Sequence, residues 1–176
     1  MHRLFVALRP PPAIRDLLID AMGDHGDFRW QSDDQLHLTL RFIGEVERPL
    51  AEDLTAALDR VHASSFELQL SGLGSFDQKN GGVIFAGVEP RDPVAALAAR
   101  VDRACQSAGI APDRRAFHPH ITIARWSGRR SREARSFLDG RNLNSPPFLI
   151  TCFSLVESRL SRHGAHYEEV ANFALK

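Results

Sequence analysis

"FHPHITIARW", residues 117–126, sets a histidine and a threonine on alternate positions of an apolar run, and "LHLTLRFIG", residues 36–44, does the same. In an extended chain successive side chains point to opposite faces, so His120 and Thr122 share one face while Ile121 and Ile123 share the other. In the earlier stretch Leu36, Leu38, Leu40 and Phe42 form an oily face, and His37, Thr39 and Arg41 a polar one. Both stretches predict half-buried strands that each carry a chemical face.

At the start of the chain, "RLFVAL" (3–8) reads as a buried strand ended by Pro10 to Pro12. Ile14, Leu17, Leu18, Ala21 and Met22 then fall at helical spacing, with Gly23 as a stop. Leu50, Leu54, Ala57, Leu58 and Val61 predict a second helix that opens near Pro49. "FELQLSGLGSF" (66–76) and "GGVIFAGVE" (81–89) read as antiparallel neighbours. Asp92 followed by Pro93 predicts a helix cap ahead of the stripe Val94, Leu97, Ala98, Val101 and Cys105. A short helix is expected over 132–139, and two long strands around "SRHGAH" close the chain. Leu4 opens a strand–helix unit that reaches His37 after 33 positions, and Val83 opens another that reaches His120 after 37. This parallel suggests a diverged duplication. The fold class expected is α+β, with two lobes of mostly antiparallel sheet related by a pseudo-twofold. Helices lie on the outer faces and a groove runs between the lobes.

The chain carries 22 basic and 22 acidic residues in 176, with 43% hydrophobic residues, so it is expected to form one domain with a sizeable core. Zero net charge excludes a global field that would draw it onto nucleic acid or membrane, and any such contact must be local. "RWSGRRSREAR" (125–135) is the one strongly basic run, either a solvated face or a phosphate-facing patch. Cys105 and Cys152 are too few for a disulfide framework or zinc cluster and read as small core residues. No run approaches the ~18 apolar residues of a membrane span, and no signal-peptide pattern is seen. A cytoplasmic monomer with no obligate protein partner is expected.

Eight histidines and four threonines placed at random would give about 0.2 His-x-Thr pairs, so two pairs in equivalent positions call for a chemical reason. Histidine titrates near neutrality, so one imidazole can accept a proton while its partner donates one. Hydroxyls two residues along can donate to anionic oxygens. Acid, base and two donors around one cleft suit attack on a phosphodiester and require no metal or other cofactor. A zinc site built on His118 and His120 lacks further ligands at any familiar spacing.

On "RLFVAL", "LHLTLRFIGEV", "FHPHITIAR" and "LVESRLSRHGAHYE", the chain resembles the 2H phosphoesterases from end to end, and within them the bacterial RNA 2′,3′-cyclic phosphodiesterases historically called 2′-5′ RNA ligases. The resemblance implies hydrolysis of RNA 2′,3′-cyclic phosphate ends to 2′-phosphates by a single domain of two interleaved lobes. It implies that His37 is the general acid, that His120 is the base, and that Thr39 and Thr122 bind phosphate. The family's second motif commonly continues to a phosphate-contacting arginine, which here is Arg125. Strict alternation sets Arg125 opposite His120, so Arg41 is the better-placed cation by parity, and both are candidates for substrate binding. Phe5, Phe42, Trp126 and Tyr167 are candidate stacking residues, and His118 could line the groove. The alternatives are a phosphodiesterase for a small cyclic nucleotide, ADP-ribose cyclic phosphate or 2′,5′-linked substrate, and a nucleotide- or RNA-binding module without turnover.

Overall fold

Each apolar run becomes an element whose oily side is buried, in a computed structural model that describes residues 1–176. In chain order these are β1 (His2–Leu8), α1 (Pro12–Asp20), β2 (Arg29–Trp30), a 3-10 turn (Asp33–Gln35), β3 (Leu38–Val46), α2 (Arg48–Leu58), β4 (Phe66–Gln78) and β5 (Gly81–Glu89). Then come α3 (Arg91–Ser107), β6 (His120–Ser127), α4 (Ser131–Leu138), β7 (Phe148–Ile150), β8 (Cys152–Ser161) and β9 (Gly164–Ala174).

Proline at the first turn starts α1 and α2, where its fixed φ is already helical and its missing N–H costs nothing. The start of α3 departs from expectation. Asp92 is not the cap, because the helix begins one residue earlier at Arg91, after Pro90, and places Asp92 in its first turn. There its carboxylate complements the helix dipole instead of closing an N–H. The stripes Ile14 and Leu18, Leu54 and Leu58, Val94 to Cys105, and Ala134 with Phe137 all join one contiguous apolar cluster beneath the sheet. Cys105 lies within it, while Cys152 is only partly buried, with the Asn172 amide donating to its sulfur at 3.4 Å.

The strands form one antiparallel sheet in the order β7-β4-β5-β6-β3-β1-β8-β9, with β2 pairing β6. Its two halves mirror one another about the centre. Neighbours within each half pair over many residues, whereas β3 and β6 meet at a single pair, Leu38 with Ile121. A pseudo-twofold axis through that pair relates the halves, and the two polar strand faces look onto one groove.

Two bulges break the alternation soon after the paired residues. Ala7 opposes Thr39 but Val6 opposes Arg41, which leaves Leu40 as the extra residue on β3. Phe85 opposes Thr122 but Ile84 opposes Ala124, which leaves Ile123 as the extra residue on β6. An extra residue shifts every following side chain to the other face. The bulges occupy equivalent positions in the two halves, and they decide which later residues reach the groove.

Candidate active site

Leu38, Leu40, Ile121 and Ile123 are all buried, which holds the motif strands by their apolar faces and leaves His37, Thr39, His120 and Thr122 on the groove side. Extending the antiparallel register one residue either way from Leu38–Ile121 sets His37 across from Thr122 and Thr39 across from His120.

The two rings are held in the same way. His37 Nδ1 lies 2.7 Å from the carbonyl of Gln35, and His120 Nδ1 lies 2.6 Å from the carbonyl of His118. A carbonyl only accepts, so both Nδ1 atoms carry the proton, and each neutral ring turns an unprotonated Nε2 to the groove. His37 Nε2 receives the Thr39 hydroxyl at 3.0 Å. Gln35 is itself fixed: its side-chain oxygen accepts from the Ser32 backbone N–H at 3.0 Å, and its amide donates to the carbonyl of Ala165 on β9 at 2.8 Å.

Aromatic rings wall both imidazoles. Phe5 and Tyr167 lie 4.8 and 5.3 Å from His37, and Phe76 and Phe85 lie 5.3 and 5.4 Å from His120, measured between ring centroids. Phe76 and Phe85 stack at 4.4 Å, and the absence of a side chain at Gly74 makes room for them, since a Cβ there would lie 2.6 Å from the Phe85 ring. Burial lowers the pKa of His37 to about 4; the Gln35 carbonyl opposes this, and the charges of Arg125 and His120 add to it. Burial also lowers the pKa of His120, again opposed by its carbonyl partner and reinforced by the charges of Arg125 and His118. Both rings are therefore neutral near pH 7 when the groove holds no anion.

Arg125 reaches this face because of the Ile123 bulge. Ile123 and Ala124 both point to the core, and Arg125 joins Thr122 on the groove side, where its charge is felt by both imidazoles. The same device corrects the expectations for Arg41 and Phe42. The Leu40 bulge turns Arg41 away from the imidazole face, and its side chain is 8% exposed. Its Nε lies 3.0 Å from Asp102 Oδ1, its Nη1 lies 3.0 Å from Asp113 Oδ2, and Nη2 donates to the carbonyl of Ala111. Arg41 is thus a neutralised cation tying β3 to α3. Phe42, assigned by parity to the oily face, is exposed on the groove side in the place equivalent to Arg125.

Of the remaining candidates, Phe5 and Tyr167 border His37, and His118 lines the groove beside His120 while lending it a carbonyl. Trp126 is 6% exposed and packs against Phe28, out of reach of the groove. Phe76, Phe85 and Gln35 were not marked by the sequence. The two phenylalanines become visible only once the β4–β5–β6 register is known, and Gln35 only once β9 lies beside the 3-10 turn. No group of three or more His, Cys, Asp or Glu side chains is arranged to hold a metal ion, and no helix is long and apolar enough to cross a membrane.

Paired imidazoles and hydroxyls on one antiparallel sheet, with a guanidinium beside them, are the features that the resemblance to the two-histidine phosphoesterases implies. The 2′-5′ RNA ligase superfamily model matches residues 10–161, and the chain belongs to that family. It is 31% identical over 140 residues to the RNA 2′,3′-cyclic phosphodiesterase of Aeropyrum pernix, covering 77% of this chain and 80% of that one. It is 29% identical over 178 residues to the enzyme of that name from Escherichia coli, covering 99% and 97%. The crystal structure of E. coli LigT complexed with 3′-AMP superposes with a TM-score of 0.80 at 26% identity, over 99% of this chain and 98% of that one.

Proposed function

We propose that the protein hydrolyses RNA 2′,3′-cyclic phosphodiester ends to 2′-phosphomonoesters by paired acid–base catalysis that needs no metal. The observation that carries this reading is the pair of imidazoles held alike, each through Nδ1 to the carbonyl two residues before it, on strands that meet at the Leu38–Ile121 pair. The names of the curated relatives supply the substrate class.

In this reading the cyclic phosphate sits between the two Nε2 atoms, with its non-bridging oxygens toward Thr39, Thr122 and Arg125. His120 Nε2 takes a proton from water as the water oxygen bonds to phosphorus. The P–O3′ bond breaks, and His37 Nε2–H delivers its proton to the departing O3′. The product is a 2′-phosphate with a free 3′ hydroxyl, and proton exchange with solvent resets the pair. Acid–base steps of this kind contribute about 10²–10⁴-fold each. The acid role needs a protonated His37, and the phosphodiester anion raises its pKa by the same charge effect through which Arg125 lowers it. Substrate entry also draws the Thr39 hydroxyl from His37 Nε2 to a phosphate oxygen, which frees that nitrogen. With a 5′ hydroxyl in place of water as the nucleophile, the same forward steps join RNA through a 2′,5′ linkage, and run backwards they cleave that linkage to the cyclic phosphate and a 5′ hydroxyl. We further place the protein in the cytoplasm as a monomer, a reading supported by two unpaired cysteines and by scattered exposed apolar side chains.

The test is incubation with an RNA oligonucleotide ending in a 2′,3′-cyclic phosphate, in excess EDTA. Opening to a 2′-phosphate alone is expected. A 3′-phosphate product would assign a different leaving oxygen, and activity restored only by added metal would overturn the metal-independent reading.

A further inference from the structure

Where β3 leaves the edge of β6, β2 takes its place. The Gln31 N–H donates to the carbonyl of Ile123 at 2.9 Å, Trp30 opposes Ala124, and Arg29 opposes Arg125. Residues directly opposite in an antiparallel pair share a face, and the next pair along takes the other face. Ala124 is fully buried and Trp30 packs on the apolar cluster, so Arg29 and Arg125 look the opposite way, onto the groove face that carries Thr122.

Two guanidinium groups are thus set side by side, with Cβ atoms about 5 Å apart at this kind of pairing, where like charges repel. None of the chain's ion pairs engages either of them, and neither donates a hydrogen bond to the protein. Nearby Arg130, by contrast, is held by Asp27 at 3.3 Å and Glu133 at 3.7 Å, and buried Arg41 by two carboxylates. Arg29 is exposed and has no packing duty that would account for it. The partner that completes this arrangement is an anion from solution with two neighbouring negative centres, because Arg125 is committed to the reacting phosphate.

We propose that Arg29 binds the phosphate carried on O5′ of the terminal nucleoside, which in RNA is the first internucleotide phosphate. This inference rests on the reading of the site given above. Arg125 holds the reacting phosphate, and Arg29, one strand outward, holds the next one. A cyclic mononucleotide has no phosphate there, so the pair makes an RNA end the preferred substrate. Guanidinium groups suit this duty because their donors are fixed in a fork that matches phosphate oxygens.

The test compares kcat/KM for a cyclic-phosphate-ended trinucleotide, a cyclic mononucleotide and a 5′-phosphorylated cyclic mononucleotide, in wild type, Arg29→Gln and Arg29→Lys. In the wild type both substrates with a phosphate on O5′ should exceed the plain cyclic mononucleotide. Arg29→Gln should cut that advantage about tenfold, chiefly through KM, and Arg29→Lys, which keeps the charge but not the fork, should keep only part of it. A gain confined to the trinucleotide would move the subsite to a phosphate further along the chain and overturn the assignment to O5′. Binding of an unreactive 3′-phosphorylated oligodeoxynucleotide is measured in parallel over a salt series, where Arg29→Gln should weaken affinity and lower the salt slope by about one. If the wild type opens no cyclic end, the functional reading fails and the binding series alone decides Arg29. An unchanged substrate ratio together with unchanged binding in Arg29→Gln would overturn the proposal.

Discussion

At the scale of single residues, the two arginines near the motifs have opposite fates for one reason. Arg125 stands free on the groove face, while Arg41, an equally long cation on the partner strand, is locked between Asp102 and Asp113. Asp113 is held well below the usual carboxylate range by its hydrogen bonds to Arg115, with Arg41 adding charge. Removing Arg41 leaves two partly buried carboxylates without their shared cation. Arg41→Ala is therefore expected to lower the free energy of unfolding by about 2–4 kcal/mol, as for other broken buried pairs. Arg125→Ala should leave stability within about 0.5 kcal/mol and raise KM instead. Urea unfolding beside steady-state kinetics separates the two, and the reverse pattern would show that the bulge assignment is wrong.

At the scale of elements, alternation carried the reading as far as the last motif residue and no further. His37, Thr39, His120 and Thr122 share a groove because side-chain period is a local property of any strand. The positions beyond them were not legible, since a bulge is set by the pairing of β3 with β1 and of β6 with β5, which no single strand encodes. For the same reason Arg125 arrived on the groove face against strict alternation, and Phe42 took the place that parity gave to Arg41. Nor did one segment reveal that β9 would tie down Gln35, or that Phe85 would stack on Phe76 above Gly74. The last arrangement gives a prediction. Gly74→Ala forces the Phe85 ring aside at a cost of about 1 kcal/mol. The looser wall readmits water to His120, so its pKa should move up toward the ordinary imidazole value, followed by NMR titration of the ring. A lowered or unmoved value would mean that Phe85 does not contribute to its burial.

Taken whole, the molecule keeps two imidazoles uncharged in the native state, and this ties its stability to pH. His37 has a folded pKa of about 4 against an ordinary value of 6.5. Between those values the unfolded chain binds the extra proton, so stability is full above pH 6.5 and declines as pH falls toward 4. The contribution of His37 is on the order of 3 kcal/mol at most, since one pKa unit corresponds to about 1.4 kcal/mol. Urea unfolding at about pH 7 and about pH 4.5 should show this loss in the wild type and a smaller one in His37→Gln. Equal losses would place the acid sensitivity elsewhere. The same depressed values set the kcat/KM profile, a bell whose limbs belong to the free pair and lie below pH 6.5, while the kcat profile of the anion-bound enzyme sits higher.

In the proposed mechanism the pseudo-twofold sets two equivalent histidines, one on each half of the sheet, to work on one phosphodiester from opposite sides. Single-turnover opening of a cyclic-phosphate RNA end by wild type, His37→Ala and His120→Ala, with thermal unfolding run on all three, tests this pairing head-on. Each variant is expected to fold as the wild type does and to lose at least about 10²–10⁴-fold in rate. Because the two act as a unit, the double variant should be little worse than either single one. A folded His37→Ala or His120→Ala protein that turns over within about tenfold of the wild type, short of the loss an acid–base partner should bring, would show that the two histidines do not share the work.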